Sequence, residues 1–220
     1  MNDKIGVTIT KKTQQQVTWE LLKTLADECR IEELLAVGDE LQVELKTGEA
    51  VAFQLADLCM GTGGRPCFIL KECLKDEKPM NKTNTNKGGW EKSFMREWLN
   101  ETIFHQLPDE LQAIVMPRVI KQKLGSKTVE TVDKLWLPSH TEMFGADAEW
   151  APADTEDAQL ALFRTERSRV KECAGRGTWW YWLRSPFGSS SASFCRVYSG
   201  GSAYTSGASI SYGVAFGFCI

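Results

Sequence analysis

Apolar residues at Val17, Leu21, Leu22 and Leu25 recur at helical spacing and predict a helix over Gln14–Cys29. Val7–Thr10 before it reads as a short strand. The period then changes. Leu41, Val43 and Leu45 alternate with polar residues, so Asp39–Leu45 and Ala50–Leu55 predict a hairpin turning at Thr47-Gly48. Phe68–Leu70 predicts another strand, and the polar, breaker-rich Met80–Gly89 a loop. A helix starts at Ser93 as N-cap, with Met95, Trp98 and Leu99 on its apolar face, and ends near Asn100 or soon after. Pro108–Ile114 has the first turn of a second short helix. Val119–Leu124 and Asp133–Leu137 predict strands on either side of a turn, and Ser139 with Glu142 makes a capping-box pattern for a further helix. Acidic Ala146–Asp157 predicts an exposed loop, and Gln159–Lys171 a charged, partly helical stretch.

Neither period governs the last forty-two residues, Trp179–Ile220. Their runs are too short for helices and predict short strands joined by Gly/Ser turns. Val214, Phe216, Phe218 and Ile220 alternate as a half-buried strand requires. The segment has no carboxylate, no lysine and only two charges, Arg184 and Arg196. Ser, Gly, Tyr and Phe dominate it. Tyr offers a large amphipathic surface at low entropic cost, and Ser and Gly offer adaptable hydrogen bonding, a composition suited to contact rather than catalysis.

Bulk composition narrows the function classes. A formal charge of -3 without a basic stripe argues against nucleic acid as a partner. No apolar run reaches the length of a membrane span. Met1–Gly6 lacks the charged and apolar regions of a secretory leader, so the expectation is a cytoplasmic chain as synthesised, released by lysis or carried on a phage particle. Seven cysteines without a C-x-x-C spacing read as reduced, mostly buried thiols, and two histidines leave little for metal or acid–base chemistry. No cofactor is implied.

Four stretches in order, GGWEKSFMREWLN (Gly88–Asn100), DKLWLPSHTEMFG (Asp133–Gly145), WLRSP (Trp182–Pro186) and GVAFGFCI (Gly213–Ile220), resemble bacterial and phage proteins of the C-type-lectin fold. The closing stretch is similar to the end of the variable proteins of diversity-generating retroelements. The resemblance spans roughly Gly88–Ile220. It implies an α+β, C-type-lectin-like domain, related to the formylglycine-generating type, over residues 61–220, with residues 1–60 as a helix-and-hairpin lead-in. It also implies that errors copied at adenines are written into the 3′ end of the gene, turning AAY codons into NNY. Such codons cannot encode Trp, Met, Gln, Lys or Glu. None of the five occurs in the 26 residues Phe187–Tyr212, where average usage in this chain would place roughly seven. A Ser/Gly-rich loop would be poor in Lys and Glu in any case.

On this reading the segment displays side chains on a fixed scaffold. Trp179, Trp180, Trp182 and Leu183 precede the variable stretch, and Ala192, Val197, Ala203 and Ala208 point inward. Candidate ligand contacts are Phe187, Ser189, Ser190, Ser191, Ser193, Arg196, Tyr198, Ser202, Tyr204, Thr205, Ser206 and Tyr212. Phe187, Arg196, Tyr198, Tyr204 and Tyr212 are expected as energetic anchors, since Tyr and Arg are enriched at hot spots. Arg184 is expected to be structural, tying loop carbonyls with its fork of donors. A protein surface is favoured over a carbohydrate as ligand.

Three alternatives remain open. Formylglycine-generating oxidases use a cysteine pair near the C-terminus to bind copper, and Cys195 and Cys219 are the candidates here, against a simpler reading as buried thiols. His140, with Glu142, is a weaker catalytic candidate, since residues two apart on a helix do not face each other. A calcium-dependent sugar site needs clustered oxygen ligands, and Trp179–Ile220 holds no Asp, Glu, Asn or Gln. The acidic stretch Asp147–Asp157 reads as a solvated loop rather than a weak calcium site. A plain structural module, such as a phage decoration, is the third. The favoured reading is a binding protein, not an enzyme.

Overall fold

The computed structural model describes residues 7–10, 15–60, 64–147, 149–154 and 157–220. In chain order, strand β1 (Val7–Thr10) and β2 (Gln15–Val17) precede helix α1 (Trp19–Asp27). Strands β3 (Glu40–Glu44), β4 (Ala50–Met60), β5 (Arg65–Leu70) and β6 (Lys78–Pro79) lead to helices α2 (Phe94–Trp98) and α3 (Asp109–Ile114). The hairpin β7 (Arg118–Leu124) and β8 (Lys127–Asp133) follows, then α4 (His140–Phe144) and α5 (Glu166–Arg169). The chain closes with β9 (Glu172–Cys173), β10 (Gly177–Thr178), β11 (Tyr181–Pro186), β12 (Ser193–Val197), β13 (Ala203–Gly207), β14 (Ser211–Tyr212) and β15 (Gly217–Cys219). The architecture is α+β.

A six-stranded sheet in the order β15-β5-β4-β3-β1-β2 organises the molecule. The hairpin β3–β4 forms as its alternation predicts: Leu41, Val43 and Leu45 are buried and Gln42 and Glu44 exposed. β4 continues past the hairpin to pair with β5, and β15 closes on the far side of β5, with Phe218 opposite Phe68. The boundary between residues 60 and 61 therefore falls between two paired strands of one sheet. Phe53 lies edge-on to Phe216 and Phe218, with ring centres 5.5 and 4.9 Å apart, so early and late parts of the chain share one aromatic core.

The helix expected from Gln14 begins five residues later. Gln15–Val17 pairs with β1 instead, and the Thr18 side chain caps α1 by accepting the Leu21 N–H. Val17 is buried, but as a strand residue; Gln14 lies outside the described residues. Ser93 caps α2 as expected. The helix runs on through a π-helical turn, Leu99–Ile103, and a tight turn at Phe104–Gln106. Within the π-helical turn the Asn100 side chain accepts the backbone N–H groups of Lys134 and Leu135.

β7 pairs with Lys127–Asp133, not with Asp133–Leu137. Beyond Asp133 the latter stretch makes a single β-bridge, from Trp136 to Gly217, and is otherwise held by the Asn100 and Arg184 side chains; its apolar residues reflect burial rather than strand pairing. The capping box of Ser139 and Glu142 is formed. The acidic stretch is only partly the expected exposed loop: Ala146, Glu149 and Pro152 are exposed, but Ala151, Ala153 and Asp154 are buried, and Lys123 donates its backbone N–H to Ala153 O. Nor is the terminal strand half-buried. Every residue from Tyr212 to Ile220 is buried, the small Gly213, Ala215 and Gly217 lying between large apolar neighbours. Gly217 has no room for a side chain, since a Cβ there would meet Phe68 O and Ile69 at 2.9 Å. Among the described residues no helix is long and apolar enough to cross a membrane.

Candidate ligand-binding face

Strands β11, β12 and β13 form a separate antiparallel sheet with β12 in the middle. Arg196 lies opposite both Trp182 and Tyr204, while Val197 lies opposite Tyr181 and Ala203. Strand alternation therefore puts Trp182, Arg196 and Tyr204 on one face and Tyr181, Val197 and Ala203 on the other. The second face enters the core. The first carries the aromatic cluster.

Trp180 is the centre of that cluster. It stacks on Trp179 at 4.8 Å and on Tyr198 at 5.5 Å, and meets Tyr212 edge-on at 5.4 Å. Tyr212 in turn packs edge-on against Trp182, and Tyr198 approaches Tyr204 at 6.2 Å. The Arg196 guanidinium lies 4.0 Å from the Trp180 ring centre, 4.7 Å from that of Tyr204 and 4.8 Å from that of Tyr212. Its Nε donates to Ser206 Oγ at 2.7 Å, and Ser206 Oγ lies 3.2 Å from the Tyr212 hydroxyl. Burial lowers the Arg196 pKa against the opposing effect of the tyrosines. A guanidinium sandwiched by rings is held by cation–π attraction and by its planar shape. Tyr198 and Tyr204 complete the cluster on its open side, 41% and 54% exposed.

The expected contact residues fall into two groups. Arg196, Tyr198 and Tyr212 pack on Trp180, Tyr204 and Ser206 join them through Arg196, and Ser202 accepts the Tyr198 backbone N–H in the turn beside them. Phe187, Ser189, Ser190, Ser191 and Ser193 lie at the other end of β12, where Phe187 packs on Trp150 at 5.3 Å. Ser189, Ser191 and Ser202 are exposed, and Ser190, Ser193 and Ser206 half-buried. Two of the expected outward anchors are not outward: Arg196 is 3% and Tyr212 8% exposed, because the aromatic cluster closes over them. Thr205 sits opposite Cys195, on the reverse face of the sheet from Arg196. Of the inward anchors, Val197 and Ala208 are fully buried and Ala192 and Ala203 half-buried.

The polar loop before α2 braces the serine-rich turn. Asn86 donates its side-chain amide to the Ser190 and Ser193 carbonyls at 2.6 and 2.9 Å, and its backbone N–H to Ser191 O. Asn84 closes against Gly207 so tightly that a Cβ there would meet its Oδ1 at 2.4 Å. No local pattern marks these asparagines, whose partners lie a hundred residues away. Trp180 is a different omission. Its Tyr-rich surroundings were visible in the sequence, yet it reads there as framework.

Beneath the sheet, Arg184 is wholly buried and makes four hydrogen bonds: Nη1 to Leu137 O and Glu142 Oε2, Nη2 to Glu142 Oε1 and Asp157 Oδ2. It binds two carboxylates and one carbonyl rather than several carbonyls. Arg118 also pairs with Glu142 and lies over the Trp136 ring. Burial alone would raise the Glu142 pKa, but the Arg118 and Arg184 guanidiniums outweigh it and hold the group at about 2. Asp154 is pushed up to about 6 by burial, against the favourable field of Arg184 and hydrogen bonds from Ser185 and Gln122.

Cys195 and Cys219 belong to different sheets, and burial raises both thiols, Cys219 to about 11. Cys219 faces Cys67 across β15 and β5. His140 is buried between Trp150 and Phe144, its Nδ1 without a hydrogen-bond partner among the described residues, and burial lowers its pKa. Among the described residues no group of three or more His, Cys, Asp or Glu side chains is placed to hold a metal ion.

Residues 64–220 match a family model described as a domain of unknown function, DUF6273. The chain belongs to the DUF6273 family. The match includes all of β5 to β15, and hence the aromatic cluster, the serine-rich turn and the buried Arg184 network. The strands β1 to β4, which extend the same sheet, precede the DUF6273 match. No curated protein and no solved structure matches the chain.

Proposed function

We propose that this DUF6273 chain is a ligand-binding protein of the C-type-lectin fold whose C-terminal segment is diversified through a retroelement. The carrying observation is the contrast within Phe187–Tyr212. Exposed Tyr204 and the exposed turn residues Ser189, Ser191, Tyr198 and Ser202 are carried by a sheet whose other face buries Tyr181 and Val197 completely. A side chain that only meets solvent can be exchanged at little cost, usually within about 0.5 kcal/mol. The supports beneath it cannot.

Arg196 and Tyr212 belong to the supports in this account. They hold the rings in place, while Tyr198 and Tyr204 present ring edges and hydroxyls to the ligand. Tyrosine-rich surfaces of this kind engage proteins through a few rigid aromatic contacts with polar surroundings. The absence of Asp, Glu, Asn and Gln after Trp179 supports a protein ligand over a calcium-bridged sugar.

The scaffold claim is tested with a library randomised by NNY codons at Ser189, Ser191, Tyr198, Ser202 and Tyr204 together. Most members are expected to express and to unfold within a few degrees of the parent. A parallel library at Trp180, Trp182, Arg196 and Tyr212 is expected to yield mostly unfolded protein. Equal intolerance of both libraries contradicts the proposal.

A further inference from the structure

Cys73 and Cys173 meet far from the aromatic face. Cys73 lies just beyond β5, and its backbone N–H donates to Glu172 O at 2.8 Å, which brings it beside Cys173 in β9. Both sulfurs bear on one point of the backbone: a Cβ added to Gly213 would lie 2.5 Å from Cys73 Sγ and 2.6 Å from Cys173 Sγ. Nothing larger than a hydrogen therefore separates the thiols from Gly213. The pair lines a cavity of about 390 Å³ between β3, β4 and the β9–β10 turn. The two residues are 8% and 4% exposed.

A cation stands next to them. Lys171 is buried, its Nζ donating to Leu70 O and Lys71 O, with the Phe163 and Tyr181 rings on either side. Burial lowers its pKa to about 8, while the two thiols favour its charged form. A hydrogen bond with the Cys173 thiol, followed by burial, holds the Cys73 thiol well above its ordinary value, whereas Lys171 acts in the opposite sense. The chain thus brings two free thiols together, opens them to a cavity and sets an ammonium beside them.

We propose that Cys73 and Cys173 are a modification site that forms a reversible disulfide with small-molecule disulfides of the glutathione type. Cys173 loses its proton and attacks one sulfur of the reagent. The S–S bond of the reagent breaks, and the first small thiolate leaves with that proton. Cys73 then attacks Sγ of Cys173 in the mixed disulfide, expelling the second thiolate, which takes the Cys73 proton. The two cysteines are oxidised by two electrons and the reagent is reduced to two thiols. The Lys171 ammonium favours the thiolate at each attack.

The bond would clasp the β9–β10 turn to the end of β5. That turn leads directly into Trp179 and Trp180, and Gly213 donates its N–H to Trp180 O at 3.0 Å. Oxidation would thereby stiffen the base of the aromatic cluster. The chemistry itself does not depend on what that cluster binds.

Cys67 and Cys219 are the internal comparison. They are also directly opposed, across β5 and β15, but do not line that cavity. The experiment uses the full chain with the exposed thiols removed (C29S, C59S), incubated with oxidised glutathione, followed by thiol counting and peptide mass mapping. The expected result is a fall from five free thiols to three, a single link between the Cys73 and Cys173 peptides, and a melting temperature about 5 °C higher. C73A and C173A are each expected to abolish the link. If either fails to fold, the peptide map of the parent decides alone. Five remaining thiols, a glutathione adduct that never resolves, or a link between Cys67 and Cys219 overturns the proposal.

Discussion

The Arg196 guanidinium lies 4.0 Å from the centre of the Trp180 ring, and its Nη1 has no hydrogen-bond partner among the described residues. Stacking, rather than ion pairing, holds this side chain. Lysine keeps the charge but not the plane. Arg196→Lys is expected to cost about 1–2 kcal/mol in thermal or urea unfolding and to shift tryptophan emission to longer wavelength. Unchanged stability and emission would show that the rings hold their arrangement unaided.

Tyr204 and Tyr212 share the cluster but differ in what they support. Tyr204→Ala removes an exposed ring whose main contact is the Arg196 guanidinium and is expected to cost about 0.5–1 kcal/mol. Tyr212→Ala empties a buried site between Trp180 and Trp182 and is expected to cost about 3 kcal/mol. Denaturant titration of the two variants makes the comparison. Equal losses would remove the distinction between displayed and supporting residues.

Glu142 joins α4 to β11 of the terminal sheet through Arg184 and to β7 through Arg118. Glu142→Gln takes a charge partner from buried Arg184 and half-buried Arg118, leaving them to share Asp157, and is expected to cost about 3–5 kcal/mol. The sign with pH follows from its folded pKa of about 2, below the ordinary 4.5. Its contribution is complete above pH 4.5 and is lost as pH falls from there toward 2. Acid unfolding of the parent should be steep in this window and shallower in Glu142→Gln.

Asp154 behaves oppositely. Its folded pKa of about 6 exceeds the ordinary 3.8, so folding favours the protonated carboxyl. That contribution is complete below pH 3.8 and is lost as pH rises through 6. Asp154→Asn keeps an acceptor for the Gln122 amide and cannot ionise. It is expected to stabilise the protein at pH 7 by on the order of 2 kcal/mol, with little effect near pH 4. A variant less stable than the parent at pH 7 contradicts the assignment.

What the sequence disclosed was local. Leu41, Val43 and Leu45 announce β3 because alternation is written in adjacent residues, and Ser139 announces α4 because a cap acts across three residues. Val17 misleads because one buried apolar residue fits a strand as well as a helix. β8 escapes notice because Val132, at 63% exposure, faces solvent and the strand carries no apolar stripe. The candidate face was legible as composition but not as geometry. Tyr and Arg side chains are equally suited to surface and support, and the packing around Trp180, which closes over Arg196 and Tyr212 and leaves Tyr198 and Tyr204 exposed, decides which role each takes. Asp154 and Asp157 look like solvated acids until Ser185 and Arg184, some thirty residues on, are folded against them.

The central claim is a varying face on an invariant support. It is tested most directly by deep sequencing of the 3′ end of this gene across one bacterial population. Substitutions are expected at Ser189, Ser191, Tyr198, Ser202 and Tyr204, at sites matching adenines in a nearby repeat. Trp180, Trp182, Arg184 and Val214–Ile220 should stay fixed. An invariant 3′ end, or variation spread evenly over support and face, would contradict the account.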